Sequence, residues 1–263
     1  MPIKYEKHGE IATFTIENGS VNPLTPAMHL EMLEALRDFT RDRSIKVGIL
    51  KGAGDRAFCA GDDVKTPRPP TSDEDRVLRH FFGPESDTDF NYPGFEREVL
   101  TLRRFKPIIG AVKGWCLGEG LFYLLHLTDI RVAGESAKFG FPEIAYEMAG
   151  ASGFTRLYRH LPRTVAMKML MTGDPIDAVE AARCNLVNDV VPDTQVLERA
   201  EQIAARISRH TALAIRLEME AFVRGEDLDS NTAYAMADHL YRIQRMKYRD
   251  WAGAVEFESE GKK

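Results

Sequence analysis

The spacing of apolar residues predicts alternating strands and helices in the first part of the chain. Glu10–Ile16 alternates apolar and polar positions, as a half-buried strand does. Thr25 and Pro26 begin a predicted helix, whose apolar residues keep helical spacing: Met28, Met32, Leu33, Leu36 and Phe39. Short apolar runs predict buried strands at Lys46–Leu50, Ile108–Val112 and Asp129–Ala133. Strands that alternate with helices indicate an α/β fold.

The pattern becomes helical from about residue 152 onward, with predicted helices at 164–172, 175–184, 194–209, 211–224 and 229–248. Earlier in the chain, residues 66–94 are rich in proline and acidic side chains. They predict a long mobile loop with one short helix near Glu74–Phe82. We therefore divide the chain into an α/β core, 1–190, and a helical C-terminal region, 191–263.

Composition narrows the classes of function. The chain has 263 residues, 44% apolar and 29% charged, and a net charge of −5, which is typical of a globular protein without the basic stripe of a nucleic-acid binder. No apolar run approaches the ~20 residues of a membrane span, and we see no secretory signal. The seven histidines lack the spacing of metal ligands, and no metal is expected. The three cysteines form no CxxC pair, which favours a reducing, cytoplasmic location.

The first segment that could carry chemistry is Ala57–Val64. Its small residues Ala60 and Gly61 would let a ligand approach the backbone closely. A tight turn that needs glycine is the structural alternative.

The second segment is Gly114–Gly120, which joins a buried strand to an apolar helix. The free N–H groups at a helix N-terminus attract negative charge. The segment matches neither GxxxxGK[ST] nor GxGxxG, so a nucleotide site is poorly supported. Close packing of the helix on the sheet explains the glycines equally well.

The third segment, Phe139–Ile144, places Glu143 after a proline inside an apolar stretch. Apolar surroundings raise the pKa of a carboxyl group and suit it to proton transfer near neutral pH. The alternative is a glutamate that favours a helix start. Glu147 lies one turn further on and is expected to be solvated. No GxSxG motif is present, and Cys59 and Cys116 are expected to be inert core thiols.

Together, the order and spacing of these segments resemble the crotonase superfamily, also called the enoyl-CoA hydratase/isomerase family. The resemblance runs from about Ile3 to Phe257 and includes AFCAGDDV, KPIIGAVKGWCLGEG, FGFPEI and the stretch from Leu170 to Pro192. It implies a crotonase-like spiral of ββα repeats with a C-terminal helical trimerisation region. It also implies assembly as a homotrimer or hexamer.

By motif position, the resemblance assigns the backbone N–H groups of Asp62 and Glu119 to an oxyanion hole for the thioester oxygen of an acyl-CoA substrate. Glu143 is the expected catalytic carboxylate. Coenzyme A belongs to the substrate, so no separate cofactor is expected. The residues that the resemblance assigns to coenzyme A are Asp63, Val64, Lys65, Phe257 and Lys262.

Two departures from the family pattern affect the expected chemistry. Hydratases of the family use two glutamates, and the first of these positions is Phe122 here. Glu119 stands where the family has glycine, and Asp62 replaces a small residue. We therefore expect an enoyl-CoA hydratase or isomerase that acts through a thioester enolate, with hydrolase, decarboxylase and carbon–carbon lyase chemistry left open.

A non-catalytic crotonase-fold protein that binds coenzyme A or a partner is the alternative from another class, since fold alone does not establish function. Retention of Glu143 favours the enzyme. The acyl group cannot be inferred from the sequence. Aromatic residues in and beside the long loop can line its pocket or pack in the core: Phe81, Phe82, Phe90, Tyr92 and Phe95.

Overall fold

A computed structural model describes residues 2–91, 94–149 and 157–248. Its strands are β1 (Ile3–His8), β2 (Ile11–Ile16), β3 (Val47–Gly52), β4 (Ala57–Cys59), β5 (Ile108–Val112), β6 (Trp115–Leu117), β7 (Ile130–Gly134), β8 (Lys138–Gly140), β9 (Ile176–Asp177) and β10 (Asp189–Val191). Its α-helices are α1 (Pro26–Arg41), α2 (Asp73–Phe82), α3 (Glu96–Thr101), α4 (Glu119–Leu127), α5 (Arg163–Thr172), α6 (Ala178–Arg183), α7 (Val196–Ser208), α8 (Ala212–Gly225) and α9 (Ser230–Tyr248). A 3-10 turn spans Pro142–Tyr146.

The described strands form two sheets. The larger has the order β1-β2-β3-β5-β7-β10, and the smaller has the order β4-β6-β8-β9. Pairing in the larger sheet is parallel except between β1 and β2. In the smaller sheet, β4, β6 and β8 are parallel and β9 is antiparallel to β8.

Successive pairs of strands repeat one pattern along the chain. The first strand of each pair, β3, β5 or β7, joins the larger sheet, and the next strand, β4, β6 or β8, joins the smaller one. This is the spiral of repeats that the family resemblance implies. Each repeat therefore delivers one loop to the same edge of the smaller sheet.

Both faces of the larger sheet are covered, which explains its uninterrupted apolar strands. On one face, Val47, Ile49 and Ile109 pack with α7. On the other, Ile108 and Val112 belong to a core that includes residues of α1 and α4. Predicted strand Ile108–Val112 coincides with β5.

Helix α1 begins as the sequence predicts. The Thr25 side chain accepts a hydrogen bond from the Met28 N–H, and Pro26 occupies the first helical position. The predicted helix 175–184 begins too early, because Ile176–Asp177 forms β9. The Asp177 carboxylate then caps α6 by accepting a hydrogen bond from the Glu180 N–H.

Contacts divide the chain into two units, Met1–Arg209 and His210–Lys263. The predicted boundary at 190/191 precedes α7, whereas α7 packs on the larger sheet and belongs to the first unit. In the second unit, α8 and α9 pack against each other. No helix in the described part of the chain combines the length and apolar character needed to cross a membrane.

A buried cation stabilises the junction between α4 and β7. The Arg131 guanidinium donates to the Thr128 hydroxyl at 3.0 Å and to the Leu186 carbonyl at 3.2 Å. His160 Nδ1 lies 3.4 Å from the same guanidinium. Burial, followed by the charge of Arg131, lowers the pKa of His160 to about 4.

Acid is therefore expected to destabilise the fold through His160. Unfolded histidine titrates near pH 6.5, so the unfolded chain binds the proton first as the pH falls. The contribution of neutral His160 to the free energy of unfolding is fully present above pH ~6.5. It is lost as the pH falls toward ~4, a loss of roughly 3 kcal/mol at most. Urea midpoints of the wild type and His160→Gln at neutral and acidic pH measure this. The variant should lose less stability on acidification, and an equal loss would contradict the assignment.

Candidate active site

The three candidate segments meet at one edge of the smaller sheet. Gly61 and Asp62 follow β4, Gly118 and Glu119 follow β6, and Glu143 follows β8. Because these strands are adjacent and parallel, the residues after their carboxyl ends lie side by side. The sequence predicted each segment separately, and the fold brings them together.

Two glycines allow this close approach. Gly61 has φ +97°, and a methyl group on it would lie 3.1 Å from the Leu117 carbonyl oxygen and 3.4 Å from the Glu119 nitrogen. Gly118 has φ 53° and ψ −126°, a conformation that favours glycine. A methyl group on Gly118 would lie 2.8 Å from Oε1 of Glu143. The loops therefore touch where any side chain would separate them.

Two backbone N–H groups at this edge have no acceptor among the residues that the structure describes. The Leu24 N–H donates to the Gly61 carbonyl, and the Asp63 N–H donates to the Leu24 carbonyl, which leaves the intervening Asp62 N–H unused. Glu119 is the first residue of α4, so its N–H has no carbonyl one turn earlier. Neither N–H donates to any residue that the structure describes. The pair can therefore donate to a ligand.

The carboxyl group of Glu143 is partly buried beside Gly118. Burial, followed by the negative charge of Asp62, raises the pKa of Glu143. Its Oε2 atom is buried and has no hydrogen-bond partner among the described residues. Glu147, which ends the same 3-10 turn in the left-handed conformation, is exposed as predicted. Glu143 is thus the carboxylate of this turn that can act at the site.

Glu119 places a second carboxyl group at the site. Burial, followed by the charges of Asp62, Glu96 and Glu143, raises the pKa of Glu119 well above its usual range. Its Oε1 atom is buried without a hydrogen-bond partner in the described structure. Burial therefore shifts Glu119 toward the neutral acid, the form that can donate a proton.

Two polar residues that were not predicted from the sequence lie behind Asp62. His29 Nε2 lies 3.2 Å from Oδ1 of Asp62, and His29 Nδ1 lies 2.6 Å from the Tyr123 hydroxyl. Both side chains are buried. The sequence signal that could have identified them is a histidine and a tyrosine at positions of α1 and α4 where the apolar pattern predicts core residues.

Phe122 removes one expected carboxylate from the site. It is 7% exposed, and its ring centroid lies 4.9 Å from that of Phe141. The pair forms an apolar contact that cannot transfer protons. Cys59 and Cys116 are buried, and burial raises the pKa of both thiols, in agreement with the inert role predicted for them.

The residues assigned to coenzyme A are only partly described. The Asp63 carboxylate accepts hydrogen bonds from the Lys65 and Thr66 N–H groups and so holds its own loop. Val64 and Lys65 are exposed. Phe257, Lys262 and Tyr92 lie outside the described residues. A cavity of about 520 Å³ beside α5 and α6 is lined by none of the predicted site residues.

Of the predicted aromatic residues, Phe95 is 6% exposed and packs in the core. Phe90 is partly buried against the same core, whereas Phe81 and Phe82 are exposed on α2. Core packing thus accounts for Phe95. A role in an acyl pocket remains a prediction for the other described aromatic residues.

Comparison with known proteins agrees with this geometry. The family model described as enoyl-CoA hydratase/isomerase matches residues 6–248. The chain belongs to the enoyl-CoA hydratase/isomerase family. It is 32% identical to the (E)-benzylidenesuccinyl-CoA hydratase of Thauera aromatica, covering 93% of this chain and 91% of the relative. It is also 32% identical to the short-chain-enoyl-CoA hydratase of Clostridium acetobutylicum, covering 90% and 86%.

Solved structures of the enoyl-CoA hydratase/isomerase family show the same fold. The crystal structure of an enoyl-CoA hydratase from Bacillus anthracis has a TM-score of 0.79 and 30% identity, with 92% of this chain and 90% of that chain covered. The crotonase fold and family membership that the sequence predicted are confirmed.

Proposed function

We propose that this protein is an acyl-CoA-processing enzyme that forms a thioester enolate. The unused N–H groups of Asp62 and Glu119, together with the partly buried Glu143 carboxyl group beside them, carry the proposal. The two N–H groups hold the thioester oxygen, and Glu143 takes a proton from the acyl chain. Family membership supports the class of substrate.

The two donors act when the thioester oxygen gains negative charge. Preorganised donors of this kind contribute roughly 3–4 kcal/mol each to a transition state. The Glu119 N–H lies at the start of α4, where the helix dipole also favours negative charge. The raised pKa of Glu143 makes its carboxylate a stronger base for the acidified C–H group.

Both isomerisation and hydration of an enoyl-CoA fit this arrangement. With Phe122 in place of a carboxylate, Glu143 can remove a proton and return it to another carbon, which is isomerisation. Hydration needs two groups. The Glu143 carboxylate would take a proton from water as its oxygen bonds to the acyl chain, and Glu119, whose pKa is raised, would deliver a proton to the carbon beside the thioester. The names of the hydratase relatives favour hydration.

Incubation with a panel of enoyl-CoA thioesters, followed by mass spectrometry, tests the proposal. Hydration adds the mass of one water, whereas isomerisation changes the chromatographic retention at constant mass. The alternative, a non-catalytic binding protein, is supported by the presence of Phe122 where hydratases of the family have a carboxylate. It predicts that the thioesters bind and are recovered unchanged. Recovery of the whole panel unchanged would reject the enzyme.

Binding of acyl-CoA thioesters is expected to weaken as salt is added, because salt screens the attraction between the exposed Lys65 and the phosphates of coenzyme A. Calorimetry at low and high ionic strength measures this. Lys65→Ala should weaken binding at low salt and reduce the salt dependence. The same substitution at Lys4, which pairs with Glu17, is the control and should leave binding unchanged. No heat with any thioester at millimolar ligand would contradict the proposal.

We further propose a homotrimer or hexamer. Helix α9 carries apolar residues at helical spacing, and Ile243 and Met246 on it are 48% and 76% exposed. An exposed apolar stripe needs a covering surface. Light scattering should give three or six times the chain mass of 29.6 kDa, and a mass near that of one chain at micromolar concentration would refute assembly.

The three cysteines are buried and free, which supports the proposed cytoplasmic location.

A further inference from the structure

Asp62 is held from one side by a single stretch of chain. Leu24 bonds the residues on both sides of Asp62, with N···O distances of 2.9 Å to Gly61 and 2.7 Å to Asp63. Five residues further along, His29 approaches the Asp62 side chain. Backbone and side chain of Asp62 are therefore fixed by the same segment.

His29 is itself fixed from behind. The His29 and Tyr123 side chains are 3% and 0% exposed, and Nδ1 lies 2.6 Å from the hydroxyl oxygen. Burial keeps the pKa of Tyr123 well above its usual range, so the phenol keeps its proton. His29 Nε2 lies within ion-pair distance of Oδ1 of Asp62, at 3.2 Å, and that oxygen is buried without a hydrogen-bond partner among the described residues. The imidazole is therefore a buried polar group beside an otherwise unsatisfied carboxylate oxygen.

This arrangement addresses an electrostatic difficulty at the site. The Asp62 carboxylate belongs to the same residue whose N–H is offered to an oxygen that gains negative charge. An unbalanced carboxylate there would oppose the charge on that oxygen. Arg68 lies 4.0 Å from Oδ2 of Asp62, but its side chain is 32% exposed, against 4% for His29. Water screens the more exposed Arg68, which leaves the His29 imidazole as the buried polar group beside the carboxylate.

We propose that His29, supported by Tyr123, is a positioning residue that holds and balances the Asp62 carboxylate, so that the Asp62 N–H can stabilise the thioester oxygen. The inference rests on the proposed function, since it concerns the same oxyanion hole. His29 acts through Asp62 and does not touch the substrate.

The test is a rescue experiment. His29→Leu should lower kcat about 10- to 100-fold with little change in KM, because it leaves the Asp62 charge unbalanced beside the developing oxyanion. Adding Asp62→Asn to that variant should recover most of the loss, since the amide removes the charge and keeps the backbone N–H. A merely structural role for His29 predicts no recovery. The matched control is Met32→Ala, a buried truncation on the same helix, which should lower the melting temperature and leave kcat unchanged.

A spectroscopic readout separates this inference from the proposed function. Acetyl-CoA labelled with ¹³C at the thioester carbonyl should show a lowered C=O stretching frequency when bound to the wild type. The shift should shrink in His29→Leu and return in the double variant. If His29→Leu fails to fold, His29→Gln, which keeps one neutral donor, should give the same pattern with a smaller loss.

The outcomes are distinct. Wild-type turnover with equal kcat and equal carbonyl shift in His29→Leu would overturn the inference and leave the proposed function intact. A double variant that is no better than His29→Leu would also overturn it. A wild type that neither turns over any thioester nor shifts the carbonyl would reject the proposed function, and the inference would fall with it.

Discussion

Replacing Glu143 with glutamine is expected to reduce turnover by about 10²–10⁴-fold, the usual contribution of a general acid or base. Glutamine keeps the shape of the side chain but cannot accept the proton. Phe122 offers no substitute, so the lost function has no replacement at that family position. Affinity for the acyl-CoA should stay nearly unchanged, because Glu143 addresses the acyl end and not the nucleotide. Steady-state kinetics and calorimetry on the same preparation measure both quantities.

Glu147→Gln is the matched control for this prediction. Glu147 lies at the end of the same 3-10 turn and is exposed, so its substitution should leave turnover and stability unchanged. A loss of activity at another acid of the site would contradict the prediction. If Glu143→Gln keeps full activity while Glu119→Gln or Glu147→Gln loses it, the assignment of the base is wrong even though the family is right.

Replacing Gly118 with alanine is expected to cost more than 10²-fold in turnover while the protein still folds. The new methyl group would lie 2.8 Å from Oε1 of Glu143, and the end of a glutamate side chain can move away. A carboxyl group displaced by about 1 Å loses about 10²-fold in rate through misplacement alone. The backbone at φ 53° and ψ −126° adds strain of about 1–3 kcal/mol. Kinetics and thermal unfolding separate the two effects.

Gly54→Ala controls for the strain without the contact. Gly54 also has positive φ, +72°, and a methyl group there meets nothing within 4 Å. Its substitution should lower the melting temperature modestly and leave turnover intact. Equal losses of turnover in the two variants would show that strain, and not the Glu143 contact, causes the effect at Gly118.

Long apolar elements of this fold were predictable because their period is visible in the sequence. The buried face of α1 and strand β5 lie where the pattern places them. The three-residue strands β4, β6 and β8 were not predicted, because three residues are too few to show alternation. These short strands bring the candidate loops together, so the sequence predicted the segments of the site but gave no geometry for them.

Polar residues within apolar helices are the second feature that could not be predicted from the sequence. His29 and Tyr123 occupy positions that read as core on α1 and α4, and only the contact between the helices pairs them. Helix α3 escaped prediction because its six residues bury only Val99. Burial by distant segments decides such cases, and a single sequence does not reveal it.

The strand spacing of the smaller sheet fixes the distances between the reacting groups. Neighbouring strands lie about 4.8 Å apart, so the loops after β4 and β8 are separated by two such steps, with the loop after β6 between them. The oxygen-binding end and the proton-accepting end of the site are therefore fixed by strand spacing and not by the acyl group. Exchanging residues that contact the rest of the acyl chain should change which thioester is used. The carbon that loses the proton, counted from the thioester carbonyl, should stay the same.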